Sequence, residues 1–245
     1  MGGPRDDLRL DVLLARNLGT SRTAVRTLIG AGLVELDGTP VADPRFAVPR
    51  ARLPLPVIVD GVAHALHDRA RVLLNKPLGC VTALRDNQHP TAYALVRDAP
   101  LAGELRSVGR LDLDTSGLLL WTTDGAEIQR LTHPKRAIPR VYQAALAGPF
   151  AAPPANLVLD DGHVPHIASL ETLPPADAHP SLAVPSETAL LAAITVVGGA
   201  YHEVRRIFAA LGSHVLGLCR VRFGDLELPG DSPLGAYQLL DTPEP

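Results

Sequence analysis

The stretch from Val108 to Gly125 limits what this chain can be more than any other part of it. It opens on a short apolar segment and places Arg110, Asp112, Asp114, Thr115 and Ser116 in a compact loop with glycines at 109 and 117. It resumes as Leu118-Leu119-Leu120-Trp121 and closes on Asp124-Gly125. A strand–loop–strand unit of this kind lifts a few polar side chains out of a sheet on a rigid support, as a catalytic site requires. A carboxylate two residues beyond an arginine can be held ionised by that cation and aimed at a substrate. The same residues also read as a solvated turn, since Asp, Thr, Ser and Gly are ordinary turn formers. Asp112, Asp114, Ser116 and Gly117 further match the first half of an EF-hand loop. The twelfth position is Thr123 instead of a bidentate Glu, and residues 118–122 read as strand, which sets calcium aside.

With 245 residues, 46% of them hydrophobic, the chain can bury a sizeable core and hold one large domain beside a small one. No apolar run approaches the roughly 20 residues that cross a bilayer. Early Asp6, Asp7 and Asp11 are unlike a secretory signal. Cys80 and Cys219 are too isolated to imply a disulfide framework or a zinc site. The expectation is a cytoplasmic protein with no membrane attachment. A net charge of −3 is not the usual footprint of nucleic-acid binding, yet basic residues cluster locally. Arg130, Lys135, Arg136 and Arg140 stand against Glu127 alone, and a second knot holds Arg205, Arg206, Arg220 and Arg222. Such patches can hold phosphates on an otherwise acidic surface.

The chain divides into residues 1–60, a linker at 61–70 and a larger domain at 71–245. In the first part, Leu8, Leu10, Leu13 and Leu14 recur at helical spacing. Ser21 is an N-cap for a second helix carrying Val25, Leu28 and Ile29. Val34 to Val41 reads as strand, Asp-Gly turn and strand, and Arg9, Arg16, Arg22 and Arg26 lie on or beside the helices. From Arg71 onward the fold class is α+β, with mostly antiparallel strand signals in a mixed sheet and flanking helices. Strands are expected at 72–75, 140–147, 190–197, 214–222 and 226–228, the last two completing a sheet edge. Helices are expected after His89-Pro90-Thr91, at 126–131 and at 202–211. The proline-rich segment 173–187 reads as an irregular surface loop.

The first 55 or so residues, with Leu8-Arg9-Leu10-Asp11 at their start and Gly30-Ala31-Gly32-Leu33-Val34 leading into the hairpin, resemble the S4 RNA-binding domain. Four further segments stand in order: Asn75-Lys76-Pro77-Leu78-Gly79; Gly109-Arg110-Leu111-Asp112 with Thr115-Ser116-Gly117-Leu118; His133-Pro134-Lys135 with Arg140-Val141-Tyr142; and Tyr201 through Phe208. Together they resemble the pseudouridine synthases of the RsuA type. His89-Pro90-Thr91 and Gly212-Ser213-His214-Val215 look closest to members modifying 16S ribosomal RNA.

The resemblance implies isomerisation of a flipped-out uridine in ribosomal RNA, with 16S RNA or the assembling small subunit as partner, by a monomer. The reaction breaks the N1–C1′ bond, turns the uracil and joins C5 to C1′. It changes no redox state and releases no group, so neither cofactor nor metal is called for. A single carboxylate can serve by covalent addition or by stabilising a cationic sugar. By resemblance that residue is Asp112, Arg205 is its cationic partner and Tyr142 packs against the base. Arg110 would fill the gap left in the RNA stack. Lys76, Lys135, Arg140, His202 and Arg206, with Arg9, Arg22 and Arg26 in the first domain, are the expected RNA contacts.

Arg140 stands where many members have lysine, Ala200 replaces a frequently basic residue, and Glu203 replaces an amide. Two other readings compete. A catalytically inactive S4-type RNA-binding protein would not need Asp112, Tyr142 and Arg205 together. A carbohydrate hydrolase using Asp112 and Asp114 would want aromatic sugar platforms, whereas the single tryptophan, Trp121, sits in an apolar strand.

Overall fold

The computed structural model describes residues 7–241 and resolves two compact units. The first unit runs to Arg71 and takes in Arg97–Leu105; the second comprises Val72–Val96 and Arg106–Leu240. The larger unit is therefore interrupted, where a continuous 71–245 was expected.

In the first unit, β1 (Asp7–Arg9) pairs with β4 (Ala47–Pro49), and helices α1 (Leu10–Asn17) and α2 (Arg22–Gly30) follow β1. Leu10, Leu13, Leu14, Val25 and Ile29 face one apolar cluster, as their helical spacing requires. The Ser21 hydroxyl accepts a hydrogen bond from Ala24 N at 3.1 Å, so the expected N-cap is in place. Strands β2 (Val34–Leu36), β3 (Thr39–Pro40), β5 (Leu55–Val59) and β6 (Val62–Leu66) form a sheet in the order β3-β2-β5-β6. Residues 62–66, expected as linker, are thus a strand. Asp60 and Gly61 both have positive φ, so they close a two-residue turn that registers Val59 against Val62.

One carboxylate organises the surface of this unit. The Asp11 side chain is fully buried and accepts hydrogen bonds from Arg9, Arg22 and Arg26 at 3.0–3.2 Å. Burial alone would raise its pKa, but the three guanidiniums reverse that and hold it below 3.8. A depressed carboxylate pKa stabilises the fold above the unfolded value and loses that contribution as pH falls through the folded one. We therefore predict that α1 and α2 weaken below about pH 3.8. Asp11→Asn should remove this acid limb and cost about 1–2 kcal/mol at pH 7, a figure reduced because the arginines are nearly half exposed. Urea titration of the full chain, followed by the amide resonances of α1 and α2 at pH 7 and pH 3, measures both effects.

The second unit is built on one mixed sheet of nine strands. These are β7 (Arg71–Lys76), β8 (Arg106–Ser107), β9 (Thr115–Thr122), β10 (Pro139–Leu146), β11 (Ile167–Thr172), β12 (Leu190–Val197), β13 (Val215–Phe223), β14 (Leu226–Glu227) and β15 (Tyr237–Leu239). The main path is β11-β12-β10-β13-β9-β7-β15, with β14 on β13 and β8 on β9. β13 runs parallel to β9 and antiparallel to β10, so it lies at the centre of the sheet, not at the expected edge. Successive side chains alternate between faces. Ala192, Ile194 and Val196 pack with α4 (Glu203–Ala210) through Val204, Ile207 and Phe208. Leu191, Ala145 and Cys219 pack on the opposite face with Leu182, and Ile128 and Leu131 of α3 (Gly125–Thr132) border that cluster.

The 173–187 segment is not a mere surface loop. Ser181 and Leu182 are buried, and the Ala183 carbonyl lies so close to β13 that a Cβ on Gly217 would stand 2.0 Å from it. The helix expected after Thr91 is one turn of 3₁₀ helix, Ala92–Leu95.

Candidate active site

The loop 112–114, between Leu111 and β9, is fastened from below. Lys76, at the end of β7, is completely buried, and its ammonium donates to the carbonyl oxygens of Pro77, Asp112 and Thr115 at 3.1, 2.9 and 2.8 Å. Burial lowers its pKa, opposed by Asp112 and Asp114, among others. The Thr82 hydroxyl donates to Leu111 O at 2.8 Å and accepts from Leu111 N at 3.0 Å. Gly79 N donates to Leu113 O at 2.8 Å. Asn75 reaches the other way, donating to Ser181 Oγ at 2.8 Å and Ser232 O at 2.7 Å. The segment 75–79 is therefore the brace of the 109–117 loop. Gly117 completes the join, since at φ +103 a Cβ would lie 2.3 Å from Arg220 O across the β9–β13 pair.

Asp112 stands on this brace at a cavity of about 760 Å³ that Arg110, Tyr142, Tyr201, His202 and Arg220 also line. Its carboxylate is about one-third exposed, with His202 Nε2 at 3.5 Å from Oδ1. His202 caps α4 in a left-handed conformation (φ +48) and stacks on the exposed Tyr201 ring, centroids 3.9 Å apart. Tyr142 on β10 is directly opposite Arg220 on β13, so the two side chains share a face. Arg220 is 2% exposed; it donates to Leu118 O at 2.9 Å and sits 5.0 Å from the Phe223 ring centroid. An accessible carboxylate, an aromatic ring and a buried cation around one nucleotide-sized space fit an enzyme acting on a nucleobase.

The RNA pseudouridylate synthase family model matches residues 71–210, and the S4 domain model matches residues 8–51. The chain belongs to the RNA pseudouridylate synthase family. It is 33% identical to the ribosomal small subunit pseudouridine synthase A of Haemophilus influenzae, over 97% of each chain. Identity with the protein of the same description from Escherichia coli K12 is also 33%, covering 97% of this chain and 98% of that one. A solved pseudouridylate synthase superposes with TM-score 0.59 and 31% identity over 96% of each chain. This chain is accordingly a pseudouridine synthase with an S4 RNA-binding domain.

Against that family pattern, several expected residues take other places. Lys76, expected at RNA, has no surface to offer it. Arg205 does not pair with Asp112: its Nη2 lies 2.8 Å from Asp114 Oδ2 and 3.0 Å from Asp114 O, and Nη1 donates to Val215 O at 3.1 Å. It braces the far side of the loop. Arg206, also expected at RNA, is bound to Asp160 at 2.6 Å and to Asp161, and donates to Tyr201 O. Glu203 is buried, with His163 Nε2 at 2.9 Å from Oε1.

Arg110, Lys135 and Arg136 are exposed, whereas Arg140 is half-buried over Phe223, where burial lowers its pKa. Arg9, Arg22 and Arg26 converge on Asp11 within the first unit. The sequence reading missed Thr82, Ser181 and the buried role of Arg220. An arginine inside the apolar run 215–223 was the available signal for the last.

The geometry separates two roles for Lys76. We predict that Lys76→Met slows turnover at saturating RNA by roughly a hundredfold, because the carboxylate loses its fixed support. RNA affinity should stay within about threefold, the ammonium being shut away from solvent. Single-turnover rates with a binding titration decide this; lost affinity at an unchanged rate would put Lys76 at the RNA.

Proposed function

We propose that this enzyme converts a uridine of small-subunit ribosomal RNA to pseudouridine in the cytoplasm, as a monomer, with Asp112 as the catalytic carboxylate. The observation that carries the reading is the Asp112 side chain, the accessible carboxylate of a loop whose backbone is fixed by five hydrogen bonds with Lys76, Thr82 and Gly79, facing the Tyr142 cavity. The named activity of the full-length relatives supports the choice of RNA.

In this mechanism the uridine leaves the RNA stack, at a cost of a few kcal/mol, and enters the cavity. Arg110, exposed at its mouth, takes the vacated position. Tyr142 packs on the uracil, and Asp112 acts at the sugar as the N1–C1′ bond breaks. His202 Nε2 stands 3.5 Å from the carboxylate, within reach of it as the substrate binds. Arg9, Arg22 and Arg26 give the S4 unit a surface for phosphates, since one buried carboxylate answers three cations. The inactive-binder reading leaves the elaborate support of an accessible carboxylate without a purpose.

Pseudouridine formation releases the C5 hydrogen, so a small-subunit RNA transcript made with 5-tritiated uridine reports the reaction directly. Asp112→Asn should cut the single-turnover rate roughly a thousandfold or more with RNA binding retained, while Asp114→Asn should cost less than about tenfold. An Asp112→Asn enzyme within tenfold of wild type would overturn the assignment. Mapping pseudouridine in ribosomal RNA from a strain lacking the protein identifies the target.

A further inference from the structure

Among the described cations that line the cavity, Arg220 alone is fully buried, and it forms no ion pair. Its side chain is 2% exposed, yet it lines the cavity beside Tyr142. Nε is used on Leu118 O, and the guanidinium lies flat against no carboxylate: among the described residues it forms no ion pair. Nη2 is buried without any hydrogen-bond partner. Arginine stays protonated, so this charge cannot be relieved by losing a proton. A buried guanidinium with an idle N–H is retained at a stability cost, and such a cost marks a place where a ligand supplies the acceptor. The other buried cation, Lys76, already spends its hydrogens on three carbonyls.

We propose that Arg220 donates a hydrogen bond to a uracil carbonyl oxygen, O2 or O4, of the flipped nucleotide and stabilises the base as it departs from the sugar. The proposal rests on the uridine reading above. The N1–C1′ bond breaks with its electron pair going to the uracil, whose negative charge spreads over N1, C5, O2 and O4. The pair then forms the C5–C1′ bond; C5 loses one proton and N1 gains one, so atoms and electrons balance. A fixed cation at O2 or O4 is worth most when that charge is greatest, which lowers the barrier more than it tightens binding. A phosphate fits the position less well. It would have to be stripped of water at the cavity floor next to the Tyr142 ring, while Arg110 and Lys135 offer exposed cations for the backbone.

The test uses the tritiated small-subunit transcript with full-length wild type, Arg220→Met and Arg220→Lys, at saturating enzyme, with far-UV dichroism and Tm as folding controls. Arg220→Met should be slowed roughly a hundredfold or more with RNA affinity within about threefold, and Arg220→Lys should recover part of the rate. A second arm needs no variant. Sulfur is a weak acceptor, so at the mapped target either 2-thiouridine or 4-thiouridine should react roughly tenfold or more slowly with wild type. That penalty should vanish in Arg220→Met, which a merely structural role would not produce. If Arg220→Met does not fold, the sulfur arm decides alone. Two thio substrates that react as fast as uridine would overturn the proposal, as would a folded Arg220→Met within threefold of wild type. No tritium release by wild type would instead refute the uridine reading, and this proposal with it.

Discussion

The site depends on one buried ammonium. Lys76 sits in the interior with three backbone carbonyls around it, two of them from the loop that carries Asp112. A compact ammonium with three rotatable donors can tie three oxygens from one point, which a planar guanidinium cannot. Burial pulls its pKa down, and Cys80, Asp112 and Asp114 oppose that pull. The reacting group thus stands on main chain that has little freedom, and it needs little reorganisation when substrate arrives.

Close approaches of strands complete the support. Gly117 lets β9 come against Arg220 of β13, and Gly217 lets the 173–187 loop press on the same strand. Ser116 Oγ donates to Ser181 O at 2.7 Å, so the loop is tied to the motif directly. Arg205 holds Asp114 from the α4 side. The catalytic loop is therefore clamped by elements far apart in sequence, which meet only because β13 lies at the centre of the sheet.

Local signals were readable in the sequence, and long-range ones were not. The Asp37-Gly38 turn, the Ser21 cap and the apolar spacings of α1 and α2 each rest on a few neighbouring residues. The strands β11 and β15 escaped notice because both lie at sheet edges and are largely exposed, with weak alternation. The Asp60-Gly61 turn carries the same Asp-Gly signal as Asp37-Gly38, but the segment after it lacks clear periodicity. The residues around Asp112 could be assembled from motif order. Which cation meets which carboxylate could not, because that is fixed by packing: Arg205 reaches Asp114, Arg206 reaches Asp160 and Asp161, and Lys76 turns inward.

Amide hydrogen exchange around Asp112 tests most directly whether the Lys76 ammonium immobilises the catalytic loop. Peptides spanning residues 108–117 would be compared between wild type and Lys76→Met in the full chain, with β12 and α4 as internal references. The account predicts exchange at Leu111 and Thr115 faster by roughly tenfold or more in the variant, with the references unchanged. Equal protection of the loop in the two proteins would contradict it.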